Sequence, residues 1–202
     1  MVEENGWLRK IAEDPGHSQW YIQRFRDLAA KGADLGGEAR LVDALAPRAA
    51  RILDAGCGTG RIGGRLAALG HTVVGVDLDP QLIAEAREQY PDVAWLVEDL
   101  SRLELSPAGF DVIVCAGNVM TFVAPSTRVE VLRRFEAHLA DDGRAAVGFG
   151  AGRDYDFDAF LADAATAGLA PQLLLGTWDL RPFTAASDFL VAVLGRAPAA
   201  VG

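Results

Sequence analysis

Leu53-Asp54-Ala55-Gly56-Cys57-Gly58-Thr59-Gly60-Arg61 decides how this chain folds. The residues leading into it, Arg51-Ile52-Leu53-Asp54-Ala55, read as a buried strand, and those after it carry Ile62, Leu66 and Leu69 at helical spacing. Glycine alternates with other residues between the two, so the backbone can turn tightly and approach a ligand with no Cβ in the way. A helix starting near Gly60 aims its unpaired N–H groups at that loop, where they attract a negatively charged group.

Outward from this junction, strands and helices alternate. Thr72 to Val76 reads as a second strand, followed by a helix with Pro80 in its first turn. Val93 to Val97 and Asp111 to Cys115 read as the third and fourth strands. A helix from Ser126 to Leu139, apolar at Val131, Leu132, Phe135 and Leu139, leads through Asp141-Asp142-Gly143 into a fifth strand, Ala145 to Phe149. Parallel strands need crossovers and the crossovers cover the sheet, so this rhythm predicts helices on both faces. After a helix near Phe157 to Ala167 the rhythm breaks. Gln172 to Trp178 and Phe189 to Leu194 read as strands joined by a loop alone, which makes the last strand antiparallel to its neighbour. The expected fold is a Rossmann-like three-layer α/β sandwich: a seven-stranded, mostly parallel sheet with an antiparallel last strand, and an N-terminal helical lid.

The lid is assigned to residues 1–48, as part of the same domain. Ser18 is expected to cap a helix from Gln19 to Ala30 with Tyr21, Phe25 and Leu28 on one face. A second helix, Glu38 to Leu45, buries Leu41 and Leu45, with Gly32, Gly36 and Gly37 separating the two. Residues 49–196 form the core, and the Ala-rich residues 197–202 a loose tail.

A chain of 202 residues, half of them apolar, suffices for one domain with its own core. The formal net charge of -9 works against partners whose binding depends on neutralising phosphates, which disfavours nucleic acid and anionic membrane. Arg128, Arg133 and Arg134 are the densest basic group, and they alternate with an apolar stripe as on a solvated helix face. Cys57 and Cys115 form no C-x-x-C pair, and His17, His71 and His138 have no ligand spacing, so no metal is expected. No apolar run approaches the ~20 residues that span a bilayer. Met1-Val2-Glu3-Glu4-Asn5 lacks the basic-then-apolar pattern of a signal peptide. These features predict a soluble, cytoplasmic protein and leave its oligomeric state open.

The acids after the strands carry the chemistry. Asp77 ends the second strand, where an acceptor-only carboxylate can take both hydroxyls of a ribose and repels a 2′-phosphate. Asp99, after the third strand, could accept from an adenine amino group or merely cap the next helix. Gly58-Thr59-Gly60-Arg61-Ile62-Gly63 satisfies the G-x-G-x-x-G string of nicotinamide enzymes, but there the first glycine directly follows the strand. Here Gly56 holds that junction, which favours the register Asp54-x-Gly56-x-Gly58-x-Gly60. No G-K-[ST] exists anywhere in the chain, which excludes a Walker A loop.

Leu53 to Arg61, Val76-Asp77-Leu78-Asp79-Pro80, Asp99 to Leu103, Phe110-Asp111-Val112-Ile113 and Leu139 to Arg144 together resemble the successive motifs of class I S-adenosylmethionine-dependent methyltransferases, over Arg51 to Leu194. The resemblance implies S-adenosyl-L-methionine as cofactor, S-adenosyl-L-homocysteine as product and a small-molecule methyl acceptor. Residue by residue, it implies that Gly56, Cys57, Gly58, Gly60 and Arg61 form the loop around the methionine part and that Asp54 orders this loop. It makes Asp77 the ribose acid, Leu78 the apolar neighbour of the adenine, and Asp99 with Leu100 the adenine-edge pair. Ala116, Gly117 and Asn118 fall where the methyl group is presented. Ala116 to Met120 departs from the Asn-Pro-Pro-Tyr type motif, and the chain lacks the Pro-Cys pair of cytosine C5 methyltransferases, so the acceptor is unidentified. Tyr21 and Arg24, on the lid, are the candidate acceptor contacts. Two competing readings stand beside this one: an NAD-dependent oxidoreductase, and a non-catalytic S-adenosylmethionine-binding protein.

Overall fold

A computed structural model describes residues 4–198. The strands are β1 (Arg51–Ala55), β2 (Thr72–Asp77), β3 (Ala94–Val97), β4 (Phe110–Cys115), β5 (Leu139–Gly150), β6 (Leu169–Leu175) and β7 (Phe189–Arg196). They form one sheet in the order β3-β2-β1-β4-β5-β7-β6. The pairs from β3 through β5 are parallel, and β7 runs antiparallel to both of its neighbours. Ile52, Leu53, Val112, Ile113 and Val114 have no exposed surface, as continuous apolar runs require when helices cover both faces.

Alternation along the strands feeds two cores. On one face Ile52, Val73, Val112 and Val114 pack against α3 (Gly37–Leu45) and α4 (Arg61–Ala68) through Ala39, Val42, Ile62 and Leu66. On the other, Leu53, Ile113, Val147 and Phe149 meet α7 (Arg128–His138) and α8 (Phe157–Thr166) through Leu132, Phe135 and Phe160. The remaining helices are α1 (Gly6–Glu13), α2 (His17–Ala30), α5 (Pro80–Gln89) and α6 (Val119–Phe122). No helix among the described residues is long and apolar enough to cross a membrane.

Ser18 does not cap α2: the helix begins at His17 behind Gly16, and Ser18 is buried in its first turn. The short α1, Gly6–Glu13, is an addition to the expected elements, and Trp7 is its buried residue. Leu69 is 55% exposed beyond the end of α4. Asp141-Asp142-Gly143 is not a turn ahead of the fifth strand but a bulge within it: Phe110 pairs with Leu139 and Val112 with Arg144. β6 starts at Leu169, and Trp178 leaves the sheet to pack over Gly148, where a Cβ would lie 2.4 Å from Cζ2 of the indole. Of the expected loose tail, Ala197 donates its N–H to Gly168 O at 2.8 Å, and residues 199–202 lie outside the described residues.

Strand order reverses beside β1: the chain passes to β2 and β3 on one side, then returns to β4 and β5 on the other. The crossovers diverge there, which opens a crevice at the C-terminal ends of β1 and β4. Because Phe135 is fully buried beneath this sheet, Phe135→Ala is expected to lower the unfolding free energy by about 3–5 kcal/mol in urea denaturation. Exposed Leu69→Ala should stay within about 0.5 kcal/mol of the parent.

Candidate active site

The loop after β1 is sewn to the end of β2. Gly56 and Cys57 both donate their N–H groups to Val76 O, at 2.7 and 3.0 Å. Gly56 has φ +77°, and a Cβ there would fall 2.4 Å from a methyl of Val119, so glycine is required on two counts. Gly58 N–H donates to Asp77 Oδ2 at 2.9 Å, and Asp79 N–H to Asp77 Oδ1, also at 2.9 Å. Each carboxylate oxygen thus holds one backbone amide and keeps a lone pair for a ligand. Burial, only partly offset by these amides, pushes the Asp77 pKa up to about 6.

Asp54 lies beneath the loop, 1% exposed, and its Oδ2 accepts from Gly63 N–H in the first turn of α4 at 2.8 Å. Gly63, the last glycine of the nicotinamide-type string, therefore belongs to the helix. Burial raises the Asp54 pKa to about 7.

Gly56, Gly58, Asp77, Leu78, Asp99, Leu100, Ala116, Gly117 and Tyr21 converge on one cleft of about 640 Å³, open solvent at its mouth included. A second recess of about 300 Å³ is lined by Cys57, Thr59, Arg61, Ile62 and Phe25. Tyr21, Gly56, Ala116 and Gly117 line both, so the two spaces meet there. Burial pushes the Tyr21 pKa up to about 12, which keeps its hydroxyl protonated at neutral pH.

The other predicted residues sit at varied distances from these spaces. Gly60, in the left-handed conformation, is the N-cap of α4. Asp99 Oδ1 accepts from Ser101 N–H and Oγ at 2.8 and 2.9 Å, capping the turn at Leu100–Arg102 while lining the cleft. Arg61 grips Glu38 with both terminal nitrogens at 2.9 and 2.7 Å and donates to Leu35 O at 2.6 Å, tying the approach to α3 to the start of α4. The Cys57 thiol packs with Ile83, Ala86 and Trp95, and burial raises its pKa well above the usual thiol range. Asn118 accepts from Gly150 N–H through Oδ1 at 2.9 Å, which pins the turn after β4 to the end of β5. Arg24 is exposed, 5.7 Å over the Trp20 ring, and is not part of either lining.

Sequence reasoning missed Asn5, Trp7, Leu82, Val119, Phe122 and Val123 in the larger cleft. Leu82, one turn into the helix that follows Asp77, and Phe122, just past Asn118, were visible as apolar residues flanking the predicted site. Trp7 gave no such signal, since its partner Asp79 lies 72 residues away.

A sheet that reverses order beside a glycine loop, with an acid ending the next strand, defines the Rossmann-like class of nucleotide-cofactor proteins. A family profile described as a methyltransferase domain matches residues 52–143. The crystal structure of a TehB-like SAM-dependent methyltransferase from Corynebacterium glutamicum is 52% identical, with a TM-score of 0.88 over 91% of this chain and 100% of that one. A malonyl-[acyl-carrier protein] O-methyltransferase from Pectobacterium atrosepticum is 31% identical over 119 residues, 59% of this chain and 45% of its own length. A dTDP-3-amino-3,6-dideoxy-alpha-D-glucopyranose N,N-dimethyltransferase from Streptomyces fradiae is 32% identical over 123 residues, 60% of this chain and 47% of its own. The chain spans less than half the length of these curated relatives. It belongs to the S-adenosylmethionine-dependent methyltransferase family.

The residues present fit that cofactor. A Cβ on Gly117 would meet nothing within 4 Å and one on Gly58 only the Tyr21 ring, so bare backbone faces the space a ligand needs. Asp77 has spare acceptor capacity for ribose hydroxyls, and Leu78, Leu82, Phe122 and Val123 offer an apolar bed for a base. Protonation of Asp77 turns one acceptor oxygen into a donor and weakens that capacity, so S-adenosylhomocysteine affinity measured calorimetrically should fall as pH drops through about 6. In Asp77→Asn this inflection should vanish and binding should be weaker by about 1.5–3 kcal/mol throughout.

Proposed function

We propose that this chain transfers the methyl group of S-adenosylmethionine to a small-molecule acceptor, with the methyl presented at the junction of the two recesses. The observation that carries this reading is the shared lining of Tyr21, Gly56, Ala116 and Gly117. Asp77 would take the ribose, Leu78, Asp99 and Leu100 the adenine edge, and the start of α4 with Gly58, Thr59 and Arg61 the amino-acid end. Bound there, the cofactor supplies an electrophilic sulfonium methyl. The protein's part is alignment, which can contribute roughly 7–11 kcal/mol of barrier lowering.

Tyr21 stands where acceptor and methyl would meet. Held protonated, its hydroxyl donates rather than removes a proton, so we assign it to orienting the acceptor. Two relatives act, by their names, on an acyl-carrier-bound malonyl group and on an amino sugar, and both kinds of acceptor stay within this reading. The free thiols of Cys57 and Cys115 support a cytoplasmic setting.

Titration calorimetry should give binding with S-adenosylhomocysteine and none with NADH. Methyl-labelled cofactor with a panel of amines, hydroxy acids and thioesters should yield a labelled product, and Tyr21→Phe should reduce kcat/KM for that acceptor on the order of ten-fold. Cofactor binding without labelled product from any acceptor class would favour the non-catalytic reading.

A further inference from the structure

The cleft has a cover whose fastening the methyl transfer does not itself require. Trp7, the one buried residue of α1, donates its indole Nε1–H to Asp79 Oδ2 at 2.9 Å, and Ser18 Oγ of α2 donates to the same oxygen at 2.5 Å. Asp79 is 1% exposed, and its other oxygen caps α5 through Gln81 N–H. The Trp7 ring also meets Phe122 and Tyr21 edge-on, at centroid separations of 5.6 and 5.3 Å.

Asp79 follows β2 and Phe122 follows β4, the strands on either side of β1. A side chain that touches both therefore lies across the C-terminal end of β1, over the glycine loop. α2 has an independent hold on the body, since Arg26 grips buried Glu85 of α5 at 3.0 and 2.7 Å. α1 is held by buried Trp7, with half-buried Ile11 packed on the same cluster, and it joins α2 through Asp14-Pro15-Gly16. A short helix with one buried anchor can swing open without disturbing the sheet.

We propose that α1 is a flap over the cofactor cleft, bolted by the Trp7 indole N–H on Asp79, and that cofactor and product exchange only when this bolt is drawn. The identity of the ligand rests on the methyltransferase reading. Because the bolt joins protein groups alone, weakening it raises the open fraction of free and bound protein alike, and association and dissociation quicken together. A residue that merely touches the ligand would quicken dissociation alone.

Stopped-flow binding of S-adenosylhomocysteine to the full chain tests this. Trp7→Phe keeps the ring and removes the donor, and both rate constants should rise on the order of ten-fold while Kd stays within about three-fold. Asp79→Asn can keep the helix cap through its one oxygen, but it turns an NH2 donor toward the Trp7 and Ser18 donors, so it should shift both rates in the same direction by at least as large a factor. Unchanged rates in both variants, or faster dissociation at unchanged association, would overturn the flap. Absence of binding to the parent protein in equilibrium titration would overturn the cofactor reading along with it, and is thereby told apart from failure of the flap alone.

Discussion

The carboxylate of Asp77 is the point on which the site depends. It is held by Gly58 N–H from the loop after β1 and by Asp79 N–H from the start of the next turn, so one side chain fixes the relative position of two strand ends. Gly56 and Cys57 reinforce the join through Val76 O. A carboxylate buried this far resists ionisation, and burial pushes its pKa up to about 6. The protein stabilises the charged form with two backbone amides and leaves the outward lone pairs to a ligand. Asp54 below it is held higher still, at about 7, by deeper burial.

The surrounding fold serves this arrangement. Reversal of strand order beside β1 opens the crevice, the apolar faces of β1 and β4 lock its floor, and the bonds of Asn118 to Gly150 and of Arg61 to Glu38 brace its flanks. Asp79 then carries the constraint outward: its amide holds Asp77 while its side chain holds Trp7 and Ser18. Asp77 and Trp7 of α1 are thus two ends of one short hydrogen-bonded path.

What could be read from the sequence follows from the range of the interactions. The strands β1 to β4, the later part of β5 and the positions of Gly56 and Asp77 at strand ends were legible because local periodicity and chain proximity encode them. The end of β6 differs from the expected Trp178 because Gln172 to Trp178 has the apolar character of a strand throughout, and only the packing of Trp178 over Gly148 removes its end from the sheet. Ser18 has the chemistry of a cap, yet a buried carboxylate 61 residues away claims its hydroxyl. Trp7 was invisible for the same reason. Arg61 lay in the predicted loop, but its neutralisation by Glu38 is a tertiary fact with no local signature.

The most direct test of the account is a crystal structure of the protein with S-adenosylhomocysteine bound. The account predicts the ribose hydroxyls within hydrogen-bonding distance of both Asp77 oxygens, the base against Leu78 and Leu100, and the sulfur beside Ala116 and Gly117. Density for the ligand in any other place, or a ribose that makes no contact with Asp77, would contradict it.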